Sequence, residues 1–136
     1  MKFDTKIAIA LRDDLPVWQK LNMTAFMASG IATQQEGLVG EPYEDASGRL
    51  YLPMFRQPVL VFAGTAEALK GAYERAVSAG LSLAVFTEDL FRTGNDVDNR
   101  AAVKAVRSEA LNLVGIALRG ERKTVDKVTK GLALHR

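Results

Sequence analysis

Three short stretches carry most of the side chains able to do chemistry in this 136-residue sequence. The first is Arg12-Asp13-Asp14-Leu15, followed closely by Trp18 and Lys20. The second is Asp89-Leu90-Phe91-Arg92-Thr93, and the third runs from Asp126 to Leu134 through Lys127, Thr129 and Lys130. Carboxylates can move protons, and lysine or arginine can hold an anion through charge-assisted hydrogen bonds. Each stretch lies at the end of an expected element, where open α/β sheets place their sites.

Several other chemistries are excluded or left without support. The sequence has no cysteine, which removes disulfides, thiolate metal sites and cysteine nucleophiles. His135 is the only histidine and lies one residue from the end of the sequence, where chains tend to fray, so it is expected to be solvated. A Ser-His-Asp triad would need that residue, and no histidine–carboxylate cluster suggests zinc. No Gly-x-Gly-x-x-Gly or phosphate-loop pattern follows a strand, so nucleotide cofactors are not expected. The expected cofactor and metal complement is none.

Apolar periodicity gives the elements that must position these groups. Lys6 to Leu11 is a nearly continuous apolar run, as in a strand buried on both faces. Pro16 opens a helix over Val17 to Ala32, with Leu21, Thr24, Ala25, Ala28 and Ile31 as its inward stripe and Met23, Phe26 and Met27 widening it. Residues 34–58 are rich in glycine and proline, with a turn at Ala46 to Arg49 between short extended pieces. Exposed-looking Tyr51, Met54 and Phe55 in this stretch offer a twofold contact.

Val59 to Ala63 is a second strand, and a helix over Ala66 to Ala79 follows, capped by Thr65 and stopped by Gly80. Its inward stripe is Leu69, Tyr73, Ala76 and Val77. Leu81 to Phe86 closes a β-α-β unit with parallel strands. A short helix over Asp98 to Val106, a strand over Leu111 to Leu118, a helix from Thr124 to Lys130 capped by Thr124 and stopped by Gly131, and a short tail complete the chain. The expectation is one domain over residues 1–136, a three-layer α/β/α sandwich on a mixed sheet of four or five strands.

Charge is unevenly spread. Residues 1–99 carry net −4, whereas residues 100–136 carry net +6. A basic final third suits a phosphate-bearing partner, or is simply a solvated surface. No apolar stretch approaches the roughly 18 residues of a membrane span, and the N-terminus lacks a signal-peptide core. A cytoplasmic protein is expected.

The three stretches, in this order and on these elements, resemble the type II peptidyl-tRNA hydrolase family. That family opens with an Arg-(Ser/Thr)-Asp-(Leu/Ile) turn, matched by Arg12 to Leu15. Its Asp-Ala-Gly-Arg-Thr is matched in spacing by Asp89, Arg92 and Thr93, and its closing Asp-Lys-Val-Thr-Gly-His-Leu-Lys-Leu by Asp126 to Leu134. Val17-Trp18-Gln19-Lys20 replaces the family's glycine-lysine loop, and Lys20 meets its catalytic lysine after a one-residue deletion. The Lys20 to Phe26 run further resembles an uncharacterised branch, the domain of unknown function two-thousand family.

The resemblance implies hydrolysis of an ester such as that of peptidyl-tRNA. In that reading Asp89 orients or deprotonates a water, and Lys20 stabilises the oxyanion. Thr24 and Thr93 donate hydrogen bonds, while Asp14, Trp18 and Arg92 contact the ligand. Structural roles stand beside these. Lys20 can pair with Asp13 or Asp14, Asp89 can bond loop amides, and Arg92 can pair with Glu88 or Asp96. Thr24 can bond back to a carbonyl one turn earlier. The alternative function is a non-catalytic domain that binds a small ligand in a cleft made apolar by Trp18, Leu90 and Phe91, or one that serves as a dimeric structural unit. The resemblance implies a homodimer, with tRNA or a small molecule as ligand.

Overall fold

The computed structural model describes residues 2–136. Strand β1 (Thr5–Arg12) leads into helix α1 (Val17–Ala32), then β2 (Tyr43–Glu44) and β3 (Leu50–Tyr51). Strand β4 (Val59–Gly64), helix α2 (Ala66–Ser78) and strand β5 (Leu83–Thr87) follow. Beyond a 3-10 turn at Glu88–Arg92 come α3 (Asp96–Lys104), β6 (Leu113–Glu121), α4 (Arg122–Val128) and β7 (Ala133–Leu134).

Five strands form one mixed sheet in the order β5-β6-β1-β4-β7. β1 runs parallel to β4 and antiparallel to β6, while β5 and β7 run antiparallel to β6 and β4. The two central strands are apolar on both faces, and Ile7 to Leu11 are at most 2% exposed. That property drives β1 and β6 to the middle, where each face is covered. It also splits the expected β-α-β unit, whose strands are parallel as expected but not neighbours. β4 and β5 do point the same way, but β1 and β6 lie between them, because adjacency is set by which strands need cover on both sides.

Helices cover both faces. On one, Met23, Met27 and Ile31 of α1 pack on Ile7, Ile9, Leu11, Phe86 and Ala117. On the other, α2 and α4 supply Leu69, Ala72, Ala76, Val125 and Val128 against Ala8, Ala10, Ile116 and Leu118. The buried face of α1 is not the expected stripe. Leu21 is 68% exposed, and Ala25 also faces outward. The cause lies in the sheet: Gly115 leaves a hollow filled by the Met23 and Met27 thioethers, and flexible methionines suit such gaps. In α2, Ala72 replaces Val77 on the inner face, and Val77 is exposed.

Most local stop and start signals act as expected, but Thr124 does not cap α4: that helix starts two residues earlier, after Glu121, with no side-chain cap, and holds Thr124 in its interior. Thr65 accepts a hydrogen bond from the Ala68 amide, Gly80 closes α2 with positive φ, and Gly131 takes positive φ in the turn that follows α4. Asn95 caps α3 by accepting from the Asp98 amide, which starts that helix two residues earlier than expected. The tail expected after α4 is instead strand β7, whose Leu134 and Ala133 pair with Phe62 and Ala63.

β2 and β3 form a separate hairpin, tied at its turn by Asp45, which accepts from the Ser47 and Arg49 amides and from the Tyr51 hydroxyl. Tyr43, Leu50, Tyr51, Leu52 and Met54 are exposed along it. Phe55, expected on the surface with them, instead packs partly buried on the core beneath α1. Among the described residues, no helix is long and apolar enough to cross a membrane.

Candidate functional site

Because β1 and β5 run the same way, the turns after them leave the sheet at one end, with the start of β6 between. A polar chain crosses this rim. Arg12 donates to both carboxylate oxygens of Asp14 at 3.0 and 2.8 Å, and its Nη1 reaches Asn112 Oδ1 at 3.4 Å. Asn112 Nδ2 in turn donates to Glu88 at 2.6 Å, and the Glu88 amide donates to the Asn112 carbonyl. The hydrogen bond from Arg12 is the main cause that holds the Asp14 carboxyl below its ordinary range, with the Lys20 charge a lesser one. Reciprocally, Asp14 raises the affinity of Arg12 for its proton.

The residues expected at the site divide between two flanks of α1. Successive helical residues turn by about 100°, so Trp18 and Lys20 point roughly opposite ways. The Lys20 amine lies 3.1 Å from His135 Nε2. His135 is itself fixed by its amide, which donates to the Val61 carbonyl, rather than frayed as expected. Lys20 therefore pairs with neither Asp13 nor Asp14 in a direct contact, although it lies near enough to Asp14 to act through its charge.

The Thr24 hydroxyl donates to the Lys20 carbonyl at 2.7 Å, the backbone role open to a mid-helix threonine. Asp89 and Arg92 meet each other at 3.8 Å, while Arg100 takes Asp96. The Thr93 hydroxyl donates to the Leu90 carbonyl and bonds Asn99 Oδ1. No hydrogen bond or ion pair joins Lys20 to Asp89 among the described residues. The third stretch is split: Asp126 pairs with Lys6 at 2.5 Å near the start of β1, at the sheet end opposite Arg12.

What converges instead is the other flank of α1. Trp18, Asn22 and Phe26 recur every four residues and face the 3-10 turn and α3. Trp18 stacks edge-on against Phe91 with centroids 5.7 Å apart. Phe91 meets Phe86 at 5.0 Å, and Phe86 meets Phe26 at 5.9 Å. These rings line a cleft with two adjoining lobes. The upper lobe, about 350 Å³, lies among Trp18, Asn22, Phe91, Thr93 and Asn95. The lower lobe, about 470 Å³, runs between Ser29 and Gly30 of α1, Ala84 of β5, and Arg100, Val103 and Lys104 of α3. Phe26, Phe86, Leu90, Asp96 and Asn99 border both.

Of the seven residues expected at the site, Trp18 and Thr93 line this cleft, and Lys20, Asp89, Thr24, Asp14 and Arg92 do not. Asn22, Phe26, Phe86 and Asn99 do, and none of the four was expected at the site. The i, i+4 spacing of Trp18, Asn22 and Phe26 was an available signal for the first two. Asn99 had none, because its place depends on how α3 docks. The basic final third is also divided: Arg100 and Lys104 border the cleft, whereas α4 with Lys127 packs beside α2 on the opposite face. No three of histidine, cysteine, aspartate and glutamate gather as metal ligands among the described residues.

Comparison with known proteins agrees with part of the resemblance drawn above. No curated protein matches the chain. A solved structure of a protein of unknown function from Agrobacterium tumefaciens is similar to it, with 46% identity and a TM-score of 0.96. That match covers 99% of this chain and 100% of the other. The family model described as "Protein of unknown function (DUF2000)" matches residues 5–136. These findings bear out the uncharacterised branch and leave the wider relationship to the peptidyl-tRNA hydrolases as a proposal. The chain belongs to the DUF2000 family of proteins of unknown function.

Proposed function

We propose that this chain binds a small, largely apolar molecule in the cleft between α1 and α3. The observation that carries the reading is the run of rings Trp18–Phe91–Phe86–Phe26 along a cleft edged by a few amide side chains. Ligand sites have this character, an apolar lining with sparse polar anchors. Trp18 and Phe26 remain 58% and 53% exposed, so a large aromatic surface is open to a ligand. Asn22, Asn95 and Asn99 offer hydrogen bonds that fix its orientation.

Trp18 is the only tryptophan, so its fluorescence reports directly on occupancy. A panel of apolar and aromatic small molecules is expected to give a saturable emission change. Phe26→Ala should weaken binding about tenfold, the worth of roughly one aromatic contact. Absence of a saturable change across the panel counts against the cleft as a ligand site.

Ester hydrolysis in the manner of a type II peptidyl-tRNA hydrolase is the second reading, resting on the order of the three motifs and on the shared direction of β1 and β5. It is less well supported, because the Lys20 amine is engaged with His135 and the Thr24 hydroxyl with a carbonyl. Cleavage of a peptidyl-tRNA, lost in Lys20→Ala and Asp89→Ala, would revive it. Either reading is framed as one domain over residues 1–136 in a cytoplasmic homodimer, the exposed hairpin side chains Tyr51, Leu52 and Met54 supplying the twofold contact. Sedimentation at low micromolar concentration tests the dimer, and a monomer there opposes it.

A further inference from the structure

We infer that the ligand of the α1–α3 cleft is an elongated apolar anion, an aromatic or long-chain carboxylate or sulfonate, whose charged end meets Lys104. This rests on the ligand-binding reading above and adds the chemical class. The cleft has a direction. Its upper lobe is aromatic and amide-lined, and carries a single charge, Asp96 at the border. Its lower lobe is walled by Phe26, Met27, Ala84 and Val103 and ends at Arg100 and Lys104.

The charges at that end do not cancel. Asp96, the one carboxylate on the wall, is held by Arg100 at 3.3 Å. Nearby ion pairs likewise occupy Arg92 with Asp89 and Arg107 with Glu109. Lys104 enters no ion pair among the described residues, so the lower lobe keeps a net positive charge. An apolar molecule without charge would fill the volume and leave that cation unanswered. One with an anionic end would meet it in a hydrogen bond of the stronger, charge-assisted kind.

The spacing sets a length. Asp96, at the border with the aromatic lobe, and Lys104 stand eight residues apart on α3, or about 12 Å at the helical rise. A ligand spanning both ends therefore places its charge on the order of 10 Å from the ring that meets Trp18. A short anion such as acetate or inorganic phosphate cannot use both ends.

The test is a matched pair of elongated probes, 2-anilinonaphthalene-6-sulfonate and N-phenyl-2-naphthylamine, which differ only in the sulfonate at the end far from the anilino ring. Each is titrated while Trp18 emission and probe emission are followed. The expected result is about tenfold tighter binding of the sulfonate at low salt, the worth of one charge-assisted contact. That preference should shrink as salt screens it. In Lys104→Met the ratio of the two affinities falls to near one, and in Lys104→Glu it inverts. Equal affinities in the wild type that ignore both substitutions overturn the inference while leaving the cleft as a neutral-ligand site. If neither probe perturbs Trp18, the ligand-binding reading itself fails, and this inference with it.

Discussion

Gly115→Ala sets two opposing effects against each other at the contact between α1 and the sheet. Gly115 lies in β6, and its φ is not positive, so alanine fits the backbone. On that ground alone, the stiffer unfolded chain would favour the variant by about 0.4–1 kcal/mol. A methyl group there, however, would come 2.7 Å from Met27 Cε and 2.8 Å from Met23 Sδ. Both are ends of flexible side chains, yet both methionines are essentially fully buried, and only Met27 borders open space, at the lower lobe of the cleft. Overpacking of a close-packed core costs about 1–3 kcal/mol, so the net expectation is destabilisation by roughly 1–2 kcal/mol.

For a domain of this size that is a fall in Tm of roughly 4–8 °C. The strain pushes α1 away from the sheet, and α1 carries Trp18, so emission from Trp18 should shift in the folded variant. Thermal unfolding and a double-mutant cycle with Met27→Val check the reasoning. Shortening Met27 should cost less in the Gly115→Ala background than alone, because it removes the clash. A Tm equal to or above that of the wild type, with no coupling to Met27, would refute the account of how α1 is seated.

Three further predictions follow from local geometry. Thr65→Ala removes the hydroxyl that accepts from the Ala68 amide and should lower stability by about 1 kcal/mol in chemical denaturation, with Thr65→Ser retaining most of it. Gly131→Ala forces a side chain into φ +93° at the end of α4 and should cost about 1–2 kcal/mol, whereas alanine at Gly94, which has no positive φ and open space around it, should cost much less. Asp14 is held below its ordinary value of 3.8 by Arg12, so its contribution to stability is present above that pH and lost as the pH falls through the lower folded value. Unfolding curves between neutral pH and strong acid should show a shallower acid loss in Asp14→Asn, and because Asp14 is well exposed the difference should shrink in high salt.

Much of the local structure was legible in the sequence. Pro16 and the apolar run after it marked α1 at its observed bounds, and Thr65, Gly80 and Gly131 marked helix ends, because caps act within a few residues of chain. The apolar run from Lys6 to Leu11 likewise announced a strand covered on both faces. Tertiary structure decided the remainder. The face of α1 turned on a hollow at Gly115, some ninety residues away, which selects Met23 and Met27 over Leu21. The separation of β4 from β5 followed from two other strands that need burial on both sides. Lys20 and Asp89 both stand near one sheet end, yet a helix sends side chains two residues apart in nearly opposite directions, so α1 delivers Trp18 to Phe91 and Lys20 to His135. The cleft exists only where α1, β5 and α3 come together, three elements whose docking angles no local pattern encodes.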